Sequence, residues 1–319
     1  MRHRMQRLLG RLDGWQRRRR LVAFPVAVVR KFADDRASRH AVRIAYYAFF
    51  SVFPLLLAFV SIVGFVLQDD PGRRDDILNS AYAEMPVVGP FVRSDIGTIG
   101  GSGVALAVGV GVALWAGLGI TLALGQALDA TWNVAPVEQL GYVARRVRGL
   151  AVLATAGLAI VASSVLSGAV TSGRVGGEAW TAAAGLMLSL AVDTVAVLAG
   201  FRLLASERRR VAELLPGVVV ATLGLLVLQT LGAWYVNSAI ARASDTYGLF
   251  ATVIGVLSWL SLAAQLILIA AEVNAVGALR LWPRSLTGDP TAADMRALER
   301  YAEAVRRDPR AQVDVHWEH

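Results

Sequence analysis

Asp193 is the single charged side chain in an apolar run from Ala179 to Phe201. Read as a helix entering from outside near Ala179, the run carries the carboxyl about 21 Å along the helix, nearer the cytoplasmic side. An acid at that depth costs at least ~2.5–3.5 kcal/mol on insertion scales, so it faces a bundle interior and either pairs or titrates. The chemistry open to it is a proton or cation relay. The competing reading is a neutral, hydrogen-bonded acid that fixes helix packing.

A second polar set lies in the stretch RIAYYAFFSVFPLLLAF. Arg43, Tyr47, Ser51 and Pro54 share one helical face, and Pro54 cannot donate to the Phe50 carbonyl. In lipid that carbonyl needs another partner, so the face reads as a cavity wall or hinge, or else as a tolerated kink. Glu272 and Asn274, in AAEVNA, fall at the cytoplasmic edge of the last apolar run. Asp129 and Asn133, in QALDATWNV, fall at the same level, as does Arg43. The expectation is a polar cluster of Arg43, Asp129 and Glu272 beneath the bundle, with solvated helix ends as the plainer alternative. Together with Asp193, these residues make a candidate polar pathway.

A third pattern is steric. Ala105, Gly109, Ala113, Gly117, Thr121 and Gly125 recur every fourth residue. Small side chains on one helix face let a neighbouring backbone approach closely, which is how helices associate in lipid. Gln126, Gln229 and Gln265 read as interhelical hydrogen-bond donors and acceptors.

Enzyme chemistry finds little to use. The four histidines (His3, His40, His316 and His319) lie outside the apolar runs, and there is no cysteine. HWEH spaces two histidines three apart at the chain's end, a poor place to order a metal. Neither a phosphate-binding glycine loop nor a hydrolase motif occurs in a suitable setting. No catalytic set, metal or cofactor is expected.

The elements that must hold these residues follow from composition. Of the 319 residues, 55% are hydrophobic and 18% charged, and the mean hydropathy is +0.52. Soluble domains carry about a quarter charged residues, so the solvent for this chain is lipid. A spanning helix needs roughly 20 apolar residues. Six runs qualify, giving an all-α polytopic membrane protein with spans at about 44–67, 101–128, 149–172, 179–202, 214–237 and 247–271.

The net charge of +8 and pI near 10.5 suggest nucleic acid only until the arginines are placed. Twenty-seven of the 32 basic residues fall in alternate segments: to Arg43, at Arg145–Arg148, at Arg202–Arg210 and after the last span. The other three loops hold five. This is the positive-inside pattern for six spans with both termini in the cytoplasm. Residues 1–40 then form an arginine-rich segment, in which 21–29 lies as a short helix on the membrane face. Residues 41–278 form the membrane domain. Residues 279–319 form a tail with an amphipathic helix from about Ala292 to Arg307, its apolar side at Met295, Leu298, Ala302 and Val305. The partners implied are the bilayer and, through the small-residue face, a membrane protein or a second copy, but no nucleic acid.

Four segments, AYYAFFSVFPLLLAFVSIVGF, ALWAGLGITLALGQALDATWNV, ELLPGVVVATLG and YGLFATVIGVLSWLSLAAQLILIAAEVNA, resemble the YihY/virulence factor BrkB family, in order, from about Phe32 to Ala278. The resemblance implies a six-span protein of the bacterial cytoplasmic membrane whose function is often described as uncharacterised. Some relatives are associated with serum resistance, and the family once carried a ribonuclease BN label. Such a nuclease would want a histidine- and aspartate-rich metal site in water, and none is present. The positions carrying the resemblance are Tyr46, Ser51, Pro54, Trp132, Pro216, Tyr247, Gly248, Glu272 and Asn274.

Two functions compete. One is a transporter- or permease-like protein with a polar pathway open toward the cytoplasm. The other is a non-transporting scaffold or envelope-assembly protein acting through helix packing and partner binding.

Overall fold

The computed structural model describes residues 13–66, 72, 76, 103–169, 178–235, 249–287, 289–313 and 315–316. The chain is all-α. After a short turn of helix at 13–18 come α1 (Arg20–Asp34), α2 (Ala37–Val66), α3 (Gly103–Thr131), α4 (Tyr142–Ala169), α5 (Glu178–Leu204), α6 (Val211–Tyr235), α7 (Leu249–Ala278) and α8 (Ala292–Glu303).

Among the described residues, four stretches are long and apolar enough to cross a membrane: Ala107–Thr131, Ala183–Leu204, Val211–Gly232 and Val253–Ala278. They lie on α3, α5, α6 and α7. The other two expected spans fall on α2 and α4, helices of 30 and 28 residues. The loops expected after the first, third and fifth spans lie largely outside the described residues.

α3 and α7 form the centre. α3 packs most extensively on α2 and also meets α4, α5 and α7, while α7 meets α1, α2, α3 and α6. The small residues of α3 serve these neighbours in turn. A Cβ on Gly109 would sit 3.6 Å from Ser61 Oγ of α2, one on Gly117 3.0 Å from Leu153 of α4, and one on Gly125 3.1 Å from the Leu204 carbonyl of α5. Ala113 and Thr121 are buried on the same side. Thr121 Oγ1 lies where a Cβ on Gly149 would come within 2.6 Å. The side chain of Ala105 is outside the described set.

At one end of the bundle the arginine-rich segments collect into a second layer. Two helices reach it through left-handed residues other than glycine. At the end of α3, Val134 N–H donates to Asp129 O and Asn133 N–H to Ala130 O, with Asn133 at φ 53°. At the end of α7, Leu281 N–H donates to Val276 O and Arg280 N–H to Gly277 O, with Arg280 at φ 53°. Both are Schellman closures, which satisfy the last carbonyls of a helix.

α8 starts as expected. Thr291 is the N-cap, its hydroxyl accepting from Asp294 N while the Asp294 carboxylate accepts from Thr291 N, a reciprocal capping box. Its end and its face differ from expectation. The helix stops at Glu303, and the buried side is Ala293, Asp294 and Ala297, with Leu298 and Val305 exposed. Small residues let α8 approach closely, and the buried Asp294 earns its place through polar partners that a periodicity of apolar residues cannot reveal.

The terminal segments, expected as separate units, pack against each other. Gln16 Nε2 donates to Arg284 O at 2.8 Å, Leu286 N–H donates to Asp13 Oδ1 at 2.9 Å, and Arg17 reaches Ser285 Oγ at 2.5 Å. Arg284 bonds Asp294 at 2.7 Å and Asp34 at 3.0 Å. Ala27 and Val28 of α1 share a core with Val276, Leu281 and Ala297.

Candidate functional site

α1 follows the expected short helix at 21–29 but extends further, to Asp34. Its face of Ala23, Ala27, Val28 and Lys31 is buried against the end of α7, while Leu21 and Val29 are exposed. Lys31, the only lysine in the chain, is fully buried. Its ammonium donates to Thr131 O at 2.8 Å, pairs with Asp35 one turn on, and lies 3.4 Å from Glu272 Oε2. Thr131 Oγ1 reaches the other Glu272 oxygen at 3.4 Å. The Tyr301 ring closes the group from α8, 5.8 Å from Nζ. Four elements thus enclose one cation and two carboxylates, with Asp35 and Glu272 both shut from solvent. An ammonium has three protons to give, and here three oxygens surround it.

Burial, and then the Asp35 carboxylate, hold the Tyr301 hydroxyl above the ordinary tyrosine range, so it stays protonated. A protonated phenol adds no competing charge beside the paired carboxylates.

Asp129 belongs to a different station. Its carboxylate accepts from Arg145 Nη2, Ser206 Oγ and Ser206 N–H, each at 2.8 Å. The group ties the end of α3 to α4 and to the loop after α5. Arg43 takes neither acid. It bonds Gln126 and stacks 5.9 Å from the Tyr47 ring. The expected cluster of Arg43, Asp129 and Glu272 is therefore divided, because each helix end has a nearer partner: Arg145 for Asp129, Lys31 for Glu272 and Gln126 for Arg43.

Ser51 Oγ is within hydrogen-bonding reach of Tyr47 O at 2.6 Å and, across the α2–α3 interface, of Ala116 O at 2.9 Å. Pro54 lies inside α2, which continues through it. Pro216 likewise removes one donor from α6. The next amide, Gly217 N–H, donates to Asn274 Oδ1 at 2.6 Å, so Asn274 links α7 to α6. Asp193 is half-buried on α5, away from all of these, and makes no hydrogen bond or ion pair with a described residue.

The virulence factor BrkB family model matches residues 28–294. The chain belongs to that family. Neither the curated proteins nor the solved structures include a significant match to it. The BrkB match takes in Lys31, Asp35, Asp129, Glu272 and Asp294, so the buried ion group lies in the family's common region; Tyr301 lies beyond it. Lys31 and Asp35 are the residues that sequence reasoning passed over. The available signal was a lone lysine among 31 arginines, followed four residues later by an acid. A buried site that needs a compact ammonium cannot use a planar guanidinium.

Proposed function

We propose that this BrkB-family chain is a transporter- or permease-like protein of the bacterial cytoplasmic membrane, with six spans, both termini inside, and a polar pathway opening at the basic end. The arginine asymmetry and the six apolar runs support the topology. The observation that carries the functional reading is the burial of Lys31 against Glu272 at the inner end of α7. With both carboxylates ionised, the group has one negative charge more than its lysine balances. A buried site of that kind favours uptake of a proton or small cation. Ionisable groups buried at membrane depth commonly mark such pathways. Lys31 then acts as an internal counter-ion, and Asp193 as a second station further along.

The test is proton movement into proteoliposomes carrying an entrapped pH dye, with Glu272→Gln for comparison. Single cysteines at Ala196, Val197 and Gly200 around Asp193, with Leu198 as control, add a second readout in a chain that has no native thiol. Transport that Glu272→Gln abolishes, with thiol labelling confined to the Asp193 side, supports the pathway. An impermeable, unlabelled protein sinks it. The scaffold reading would then take its place, supported by the exposed Leu286, Leu298 and Val305 on the tail.

A further inference from the structure

The basic layer contains a cavity of about 710 Å³ lined by Arg209, Arg280, Arg296 and Arg300 together with Glu299 and Glu303. The arginines come from three places. Arg209 lies in the loop between α5 and α6, Arg280 at the close of α7, and Arg296 and Arg300 one turn apart on α8. We propose that this cavity binds a phosphate-bearing anion, either an acidic lipid headgroup or a phosphorylated solute.

Charge is the first argument. Four guanidinium groups face Glu299 and Glu303, Arg209 also pairs with Glu207, and Arg300 lies 3.9 Å from Glu303, so a surplus of one positive charge remains. The second argument is the supply of donors. Arg209 is held 4.6 Å over the Trp132 ring and bonds Glu207 through Nη2 at 2.5 Å, which fixes its guanidinium at the cavity wall. Three backbone acceptors near the cavity are already occupied. Val276 O and Gly277 O are taken by the Schellman closure, and Arg280 O accepts from Arg296 Nη2 at 2.7 Å. The guanidinium groups in the lining are the donors such a site would use, and guanidinium forks match phosphate oxygens in pairs.

Place and size complete the case. The cavity begins at Ala278, where the apolar stretch of α7 ends, which is headgroup depth for a spanning helix. Basic pockets at this level between membrane helices suit anionic lipid headgroups. Its volume is in the range of small-ligand sites.

The experiment titrates the purified full-length protein in detergent with pyrophosphate, phosphatidylglycerol and phosphatidylcholine, reading the melting midpoint and the bound mass by native mass spectrometry. Pyrophosphate or phosphatidylglycerol is expected to bind saturably, and phosphatidylcholine to bind much more weakly. Arg296→Ala with Arg300→Ala should raise the half-saturating concentration at least tenfold. Glu299→Gln with Glu303→Gln should lower it severalfold, a gain that misfolding cannot mimic. Binding of phosphatidylglycerol alone identifies a headgroup site, and binding of both anions a site that also takes free phosphate esters. Failure of both anions to bind, or equal titration of wild type and both variants, overturns the proposal.

Discussion

Lys31 Nζ lies 3.4 Å from Glu272 Oε2, and neither side chain reaches solvent. The contact joins α1 to the last apolar helix, so the amino-terminal segment is bound into the bundle through a charge. Removing one partner of such a pair strands the other and costs about 3–5 kcal/mol. Lys31→Met should therefore lower the melting midpoint of the purified protein sharply. Adding Glu272→Leu should recover part of the loss, Asp35 still lacking its cation. If the double variant melts below Lys31→Met, the pair is not the source of the effect.

Lys31→Arg is a separate test of shape. The ammonium sits among Thr131 O, Asp35 and Glu272 with no solvent beside it. A guanidinium is larger, planar and unable to shed its charge. The substitution keeps the charge and should still destabilise, by about 1–3 kcal/mol as overpacking does. Thermal unfolding that matches wild type would show the site to be roomier than its geometry implies.

How far these features could be read from sequence depends on their range. The apolar runs are local sums over 20 or more residues, and α3, α5, α6 and α7 lie close to where those sums placed them. The four-residue period on α3 is itself a local pattern, and Gly117 and Gly125 lie against Leu153 and Leu204. The partners of charged residues were not legible. Glu272 and Asp129 stand at the same depth, and depth alone made them look like one cluster. Only the packing of α1 under α7 hands Glu272 to Lys31, 241 positions earlier in the chain. The buried side of α8 was missed for a related reason: Asp294 is inward because Arg284 and Ser285 supply its hydrogen bonds.

Asp294 gives a pH prediction with a definite sign. Burial pulls its pKa upward, but bonds from Thr291, Ser285 and Arg284 outweigh that and hold it at about 2, below the ordinary carboxyl range. A depressed carboxyl contributes stability that is complete above its unfolded pKa and fades as pH falls toward the folded one. The contribution is about 2 kcal/mol at neutral pH, lost between roughly pH 5 and pH 2. Asp294→Asn should lower the melting midpoint at pH 7 and flatten its dependence on pH across that window. A variant whose midpoint falls with acid as steeply as wild type would place the titration elsewhere.

Glycines separate tight from open packing. A Cβ at Gly217 would run into Ala270 O and the Asn274 amide, and it would crowd the Gly217 N–H bond to Asn274. Gly217→Ala must push α6 from α7 and should cost about 1–3 kcal/mol. At Gly109 the same methyl meets ordinary contacts, the nearest at 3.6 Å, and at Gly200 it meets nothing within 4 Å. There Gly→Ala should be neutral or stabilising by up to ~1 kcal/mol, the helix-propensity difference. Melting midpoints of the three purified variants decide the matter. Gly217→Ala should fall well below the other two, because only at Gly217 does backbone from a neighbouring helix occupy the space; equal midpoints would mean that α6 and α7 can part without loss.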